Sequence, residues 1–143
     1  MSASATEMSP VEAAAPEVKG GVVPYLSVSD ASAAAAFYKK AFGAEEVARA
    51  SMPGGDRIIH LHLYINGGSV MLSDPFPEHG HPHKEPQGYV LHLQVDDVDA
   101  WWKRAVDAGA EVTLPLQQMF WGQRYGQVKD PFGVLWSIAQ HGA

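Results

Sequence analysis

The sequence predicts an α+β domain made of two βαβββ modules, with helices outside and a cavity on the concave sheet face. Three observations carry that expectation: an internal repeat, period-two strands, and two apolar helical stripes with caps. The repeat has a spacing of about 67 residues. Leu26, Val28 and Asp30 match Leu93, Val95 and Asp97, and Gly43-Ala44-Glu45 matches Gly109-Ala110-Glu111. Asn66-Gly67-Gly68 then falls opposite Pro131-Phe132-Gly133. Each match is short, but their shared order favours a duplicated unit over chance.

The first strand of each module alternates. Val22, Pro24, Leu26 and Val28 share one face, and Val23, Tyr25, Ser27 and Ser29 the other. In the second module Tyr89, Leu91, Leu93 and Val95 alternate with Val90, His92 and Gln94. A period of two marks strands with one apolar and one mixed face. Asp30 and Asp97 follow at helix N-cap positions, where a carboxylate accepts from free backbone N–H groups. The stripes Ala34, Phe37, Tyr38, Ala41, Phe42 and Val98, Trp101, Trp102, Ala105, Val106 have helical spacing and should pack on the apolar strand faces. Gly43 and Gly109 supply left-handed stops. Three strands complete each module, near 46–51, 57–65 and 69–73, then near 111–116, 124–129 and 135–139. The modules thus cover about 21–73 and 88–140, joined by a Pro-, Gly- and His-rich linker, 74–87. Residues 1–19, rich in Ala, Ser and Pro, read as a flexible leader to a domain spanning 20–143.

Composition narrows the function. With 143 residues the chain holds one domain with a proper core. A net charge of −6 argues against a nucleic-acid partner. No cysteine is present, so disulfides and thiolate chemistry are excluded. No apolar run approaches the roughly 18–20 residues of a membrane span, and the N-terminus has no secretory signal pattern. A cytoplasmic protein with no membrane partner is expected.

From Gly21 to His141 the sequence resembles the vicinal-oxygen-chelate superfamily of glyoxalases, bleomycin-resistance proteins and dioxygenases, with a closer likeness to its PhnB-like branch. The residues that carry it are Tyr38 within AFYKKAFGAEE, the VMLSD strand (Val70–Asp74), His92–Val112, and above all FWGQRYGQVKDPFGVLWSI (Phe120–Ile138). That fold hosts lyases, isomerases, dioxygenases and drug-binding proteins, so the resemblance does not choose a substrate. It implies a homodimer, since small members commonly pair. It also implies where a divalent metal would be held: at Val23, Leu72, Val90 and Ser137 in this chain. Three aliphatic residues and a serine cannot bind such an ion, so no metal and no other cofactor is expected at the usual site. His60, His62 and His92 on strand faces, or His79, His81 and His83 in the linker, leave a displaced site as the alternative.

By strand parity the cavity face carries Tyr25, Ser27, His60, His62, Tyr64, Leu72, His92, Gln94 and Ser137, with Trp121, Arg124 and Tyr125 from the FWGQRYG segment. Rings with a few polar groups suit a planar or aromatic small-molecule ligand. Of these, Tyr25, His60, His62, Tyr64, His92, Gln94, Trp121, Arg124 and Tyr125 are the predicted ligand-binding residues. A metal-independent binding protein is the first reading. A lyase or isomerase with His92, His60 or His62 as general base, and Tyr25 or Tyr64 as donor to an oxyanion, is the second. No acidic residue stands beside those histidines to poise a base, which tilts the reading to binding. A metal-dependent glyoxalase or dioxygenase with displaced ligands is the third.

Overall fold

Two four-stranded sheets, each carrying one helix, form the fold. The computed structural model describes residues 15–141. The order is β1 (Tyr25–Ser27), α1 (Ala31–Phe42), β2 (Glu45–Ser51), β3 (Ile58–Ile65) and β4 (Gly68–Ser73). After a short 3-10 turn at Pro77–His79 come β5 (Leu91–Gln94), α2 (Val98–Ala108), β6 (Glu111–Gln118), β7 (Gln123–Lys129) and β8 (Leu135–His141). The sheets have matching orders, β1-β4-β3-β2 and β5-β8-β7-β6. Only the β1–β4 and β5–β8 pairings are parallel, as a strand–helix crossover demands. Two βαβββ modules are therefore present, as the repeat implies.

The caps act as predicted. Asp30 accepts from the Ala33 N–H at 3.0 Å, and Asp97 from that of Ala100 at 3.2 Å. Gly43 and Gly109 stop the helices with φ of 66° and 116°. The apolar stripes, except Val106, join one core with Leu26, Val28, Leu61, Leu63, Leu72, Trp136 and Ile138. Trp102 lies so close to β7 that a Cβ on Gly126 would stand 2.6 Å from its ring. No residue but glycine fits there without moving the indole.

Three differences from the sequence expectation matter. The first strand begins only at Tyr25, where β4 offers a partner in Met71, and Val22 is almost fully exposed. Leu72 does not face the cavity: it pairs with Leu26 and Leu61 and is fully buried on the helix side. Its neighbour Met71, between Tyr25 and His62, holds the position the sequence assigned to Leu72. The reason is strand parity, since Val70 and Leu72 must both follow Leu61 and Leu63 into the core. Finally, Glu17 and Lys19 engage the sheet. The Ser69 N–H donates to the Lys19 carbonyl at 2.9 Å, and the Lys19 N–H returns to Ser69 Oγ at 2.8 Å. The attachment of the N-terminal stretch thus begins before Gly20, whereas residues 1–14 lie outside the described residues.

Two carboxylates act as joints. Asp74 accepts from the N–H groups of Ala31 (2.7 Å) and Ile58 (2.6 Å), tying the end of β4 to α1 and β3. Asp130, in the turn after β7, is buried and accepts four bonds: from the N–H groups of Phe132 (2.8 Å) and Val134 (3.0 Å), the Tyr38 hydroxyl (2.5 Å) and the Trp136 indole (2.9 Å). Tyr38 belongs to α1, so this carboxylate couples the two modules. Burial first, and the Asp130 charge second, push the Tyr38 phenol well above its ordinary value, so it stays a donor. Arg104 adds a second tie, donating to the Lys40 and Lys39 carbonyls at 2.8 and 3.2 Å at the C-terminus of α1.

Candidate functional site

The sheet faces turned away from the helices carry most of the predicted residues, grouped in two clusters. On the first module the Tyr25 hydroxyl and His60 Nδ1 lie 2.9 Å apart. Tyr25 also approaches the Ile59 carbonyl at 3.3 Å. Partial burial raises its phenol above the ordinary value, favouring the protonated, donating form. His62 follows two residues on, and its Nε2 lies 2.7 Å from Ser69 Oγ. It is buried, and desolvation, with His60 adding like-charge repulsion, holds its imidazole below the ordinary value. Tyr64 is overlaid by the chain itself: its hydroxyl donates to the Glu17 carbonyl at 2.7 Å, and Lys19 Nζ stands 4.1 Å from its ring centre. His62 and Tyr64 are thus engaged by Ser69 and by residues just before β1.

The second module presents a row of rings. His92 and Tyr125 are near-parallel at 6.1 Å, Trp121 meets Tyr125 edge-on at 5.8 Å, and Phe120 meets Trp121 edge-on at 4.9 Å. Phe120 and Trp121 lie at the β6–β7 hairpin tip, 96% and 47% exposed. Hydrogen bonds run between the polar groups: Trp121 Nε1 to Gln123 Oε1 (2.9 Å), and Gln123 Nε2 to Gln94 Oε1 (3.0 Å). His92 Nε2 is 2.9 Å from Gln94 Oε1, and its Nδ1 is 2.7 Å from Ser137 Oγ. Gln127 donates to the Tyr125 hydroxyl at 3.0 Å. Gln123 and Gln127 were not among the predicted residues, although the parity of Tyr125 along β7 places them on its face.

Arg124 is a correction. It lies between Gln123 and Tyr125, so the pleat turns it to the helix side, where it pairs with Asp99 of α2 at 2.8 Å. It does not line the ring-bearing face.

Between the modules runs a cleft of about 340 Å³ whose walls include Lys19, Asn66, Ser69, Val90 and His92. His92 therefore borders both the cleft and the row of rings. Asn66 bridges the modules by donating from Nδ2 to the Gln94 carbonyl at 2.9 Å.

The donor set does not fit the divalent metal that this fold implies. The positions the resemblance implies, Val23, Leu72, Val90 and Ser137, supply no carboxylate and no imidazole, and Met71, which stands on the outer face in place of Leu72, adds none. Nor do the histidines make a displaced set: among the described residues, no three His, Cys, Asp or Glu side chains converge as ligands would. His60 and His62 sit on one module and His92 on the other, while His83 in the linker faces Glu85 at 3.1 Å.

Comparison with known proteins agrees with this architecture. The profile of the Glyoxalase/Bleomycin resistance protein/Dioxygenase superfamily matches residues 21–138, and the chain belongs to that family. An uncharacterized protein of Mycobacterium tuberculosis (strain H37Rv) is 44% identical over 129 residues, covering 86% of this chain and 75% of its own length. TioX from Micromonospora sp. ML1 superposes with a TM-score of 0.68 at 29% identity, covering 85% of this chain and 98% of TioX. TnmS3, an antibiotic binding protein from Streptomyces sp. CB03234, does so with a TM-score of 0.63 at 27% identity, covering 90% and 98%. No helix among the described residues is long and apolar enough to cross a membrane.

Proposed function

We propose that this protein is a metal-independent, cytoplasmic small-molecule-binding protein whose ligand is planar or aromatic and rests on the second module. The observation that carries the reading is the row His92–Tyr125–Trp121, held from the side by the Gln94–Gln123 amides and bordered by the inter-module cleft. Such a surface binds by stacking and edge hydrogen bonds without an ion. That a structural relative, TnmS3, is an antibiotic binding protein supports it. Thermal shifts of chelator-treated protein with a panel of planar aromatics test it. A binder raises the midpoint as RT ln(1 + [L]/Kd) requires, and Trp121→Ala and Tyr125→Ala reduce the shift. A panel without effect, or shifts that need added metal, would overturn the reading.

We also propose a homodimer, with Phe120 and Val22, 96% and 95% exposed, covered by a second copy. Sedimentation equilibrium of the wild type and Phe120→Ser checks this: the wild type is expected as a dimer weakened by the substitution.

A lyase or isomerase is the second reading, and one observation favours a place for it. His60 pairs with Tyr25 through Nδ1 and has no partner for Nε2 among the described residues. A general base therefore falls on His60 rather than on His92, both of whose nitrogens are engaged. A reaction abolished by His60→Gln but indifferent to Trp121→Ala would favour this reading over binding.

A further inference from the structure

We propose that the second module recognises its ligand through an in-plane acceptor oxygen, bound by the side-chain amide NH2 of Gln94, with His92 serving as a positioning ring. The inference rests on the small-molecule reading above and names the chemical class of ligand: a planar aromatic with a carbonyl oxygen at its edge.

The argument begins at the one group whose direction is not adjustable. An indole N–H only donates. Trp121 Nε1, 2.9 Å from the Gln123 amide, therefore requires the carbonyl end of that amide on its side. The Gln123 NH2 end must then be the one that reaches Gln94 at 3.0 Å, so the group it meets is the Gln94 carbonyl oxygen. That same oxygen lies 2.9 Å from His92 Nε2, and since it only accepts, Nε2 carries the hydrogen. In the neutral ring Nδ1 is consequently bare and accepts from the Ser137 hydroxyl at 2.7 Å. Assignment of amide ends and ring hydrogens ordinarily depends on the network around them. Here one donor-only group orients every member in turn.

The chain of bonds has a consequence for the ligand. The Trp121 N–H, both ends of the Gln123 amide, both His92 nitrogens and the buried Ser137 hydroxyl are all occupied within the protein. Gln94 Oε1 accepts twice. Among the amide and ring nitrogens of this network, the Gln94 NH2 alone has no partner among the described residues, and it stands on an exposed side chain. An N–H pair beside a stacking surface selects an acceptor. A ligand edge that itself donates meets a like group and leaves both unpaired, which is unfavourable once water is excluded. His92 cannot take a proton from the ligand, because its bare nitrogen faces Ser137.

Three ring systems of nearly one shape separate the possibilities: fluorene with a CH2 edge, fluorenone with C=O, and carbazole with N–H. Equilibrium dialysis of the full chain against each is expected to retain fluorenone about five- to tenfold more tightly than fluorene, the yield of one net hydrogen bond. Carbazole is expected to bind no tighter than fluorene, and Gln94→Met to bring fluorenone down to the fluorene level. Long-range 1H–15N spectra should show His92 as the Nε2–H tautomer in the unliganded protein. Equal retention of all three, a preference for carbazole, or an Nδ1–H tautomer overturns this inference while leaving the binding reading intact. Retention of none overturns the binding reading itself.

Discussion

The two modules share a strand order and a cap chemistry, yet their ring-bearing faces are put to different use. On the first, a tyrosine of the first strand (Tyr25) meets a histidine of the third (His60). On the second the residue types are exchanged, with His92 on the first strand and Tyr125 on the third. The surroundings then diverge. Lys19 and Glu17 lie over Tyr64 on the first module, and Ser69 engages His62 there. The corresponding hairpin tips differ as well. Met52–Arg57 holds Pro53, Gly54 and Gly55, whereas Met119–Gln123 holds Phe120, Trp121 and Gly122, although a methionine N–H closes each (2.8 and 2.7 Å). A duplicated scaffold can thus keep its core constraints in both copies and concentrate recognition in one, because hairpin tips and terminal segments carry little of the core packing.

That contrast can be broken first at the joint between the modules. Asp130→Ala leaves the Tyr38 hydroxyl, the Trp136 indole and two backbone N–H groups without their acceptor, and should cost about 4 kcal/mol in urea unfolding. In the first module the β3–β4 turn residue Asn66 has φ of 51° and one side-chain bond to Gln94. Asn66→Ala should cost about 1–2 kcal/mol, at most half as much. Equal costs would show that the modules are joined symmetrically.

The next effect is on binding. Trp121→Ala should weaken binding of a planar aromatic by about tenfold, through loss of stacking and area. Stability should stay within about 0.5 kcal/mol, since the residue stands at an exposed tip. A matched change at the first tip, Pro53→Ala, should leave affinity unchanged when both variants are measured by equilibrium dialysis. If both substitutions weaken binding alike, the division of roles between the modules is wrong.

Smaller still is the overlay on the first module. Lys19→Ala removes the ammonium from the Tyr64 ring and should cost about 0.5–1 kcal/mol by chemical denaturation. The backbone pair with Ser69 survives the change. A stability unchanged by this substitution would mean that the overlay contributes only through its backbone.

The smallest expected effect is on pH dependence. His62 has its proton affinity lowered in the folded state, from an ordinary value of 6.5, by burial first and by His60 second. The unfolded chain therefore binds that proton first, and the stability contributed above 6.5 is lost as the pH falls through the lowered folded value. The fall in melting temperature between pH 7.5 and 5 should shrink in His62→Gln. An unaltered fall would place the acid sensitivity elsewhere.

Much of the fold is legible in the residues themselves. Asp30, Asp97, Gly43 and Gly109 act locally, on backbone groups a few positions away, so their roles follow from spacing alone. The alternation of Leu91, His92, Leu93 and Gln94 likewise identifies two faces before any partner strand is known. Parity counted through a turn is less secure, which is why Leu72 belongs to the core and Met71 to the outer face. The same pleat turns Arg124 toward Asp99.

The sequence by itself determined the duplicated βαβββ plan and the helix limits. Each of these follows from local periodicity or residue chemistry. Only the tertiary structure decided that Asp130 would collect a donor from the other module, that residues 17–19 would lie over Tyr64, and that Trp121 would orient Gln123, Gln94 and His92. Those arrangements join groups far apart in the chain, and the direction of a hydrogen bond is set by the pair that meets rather than by either residue alone.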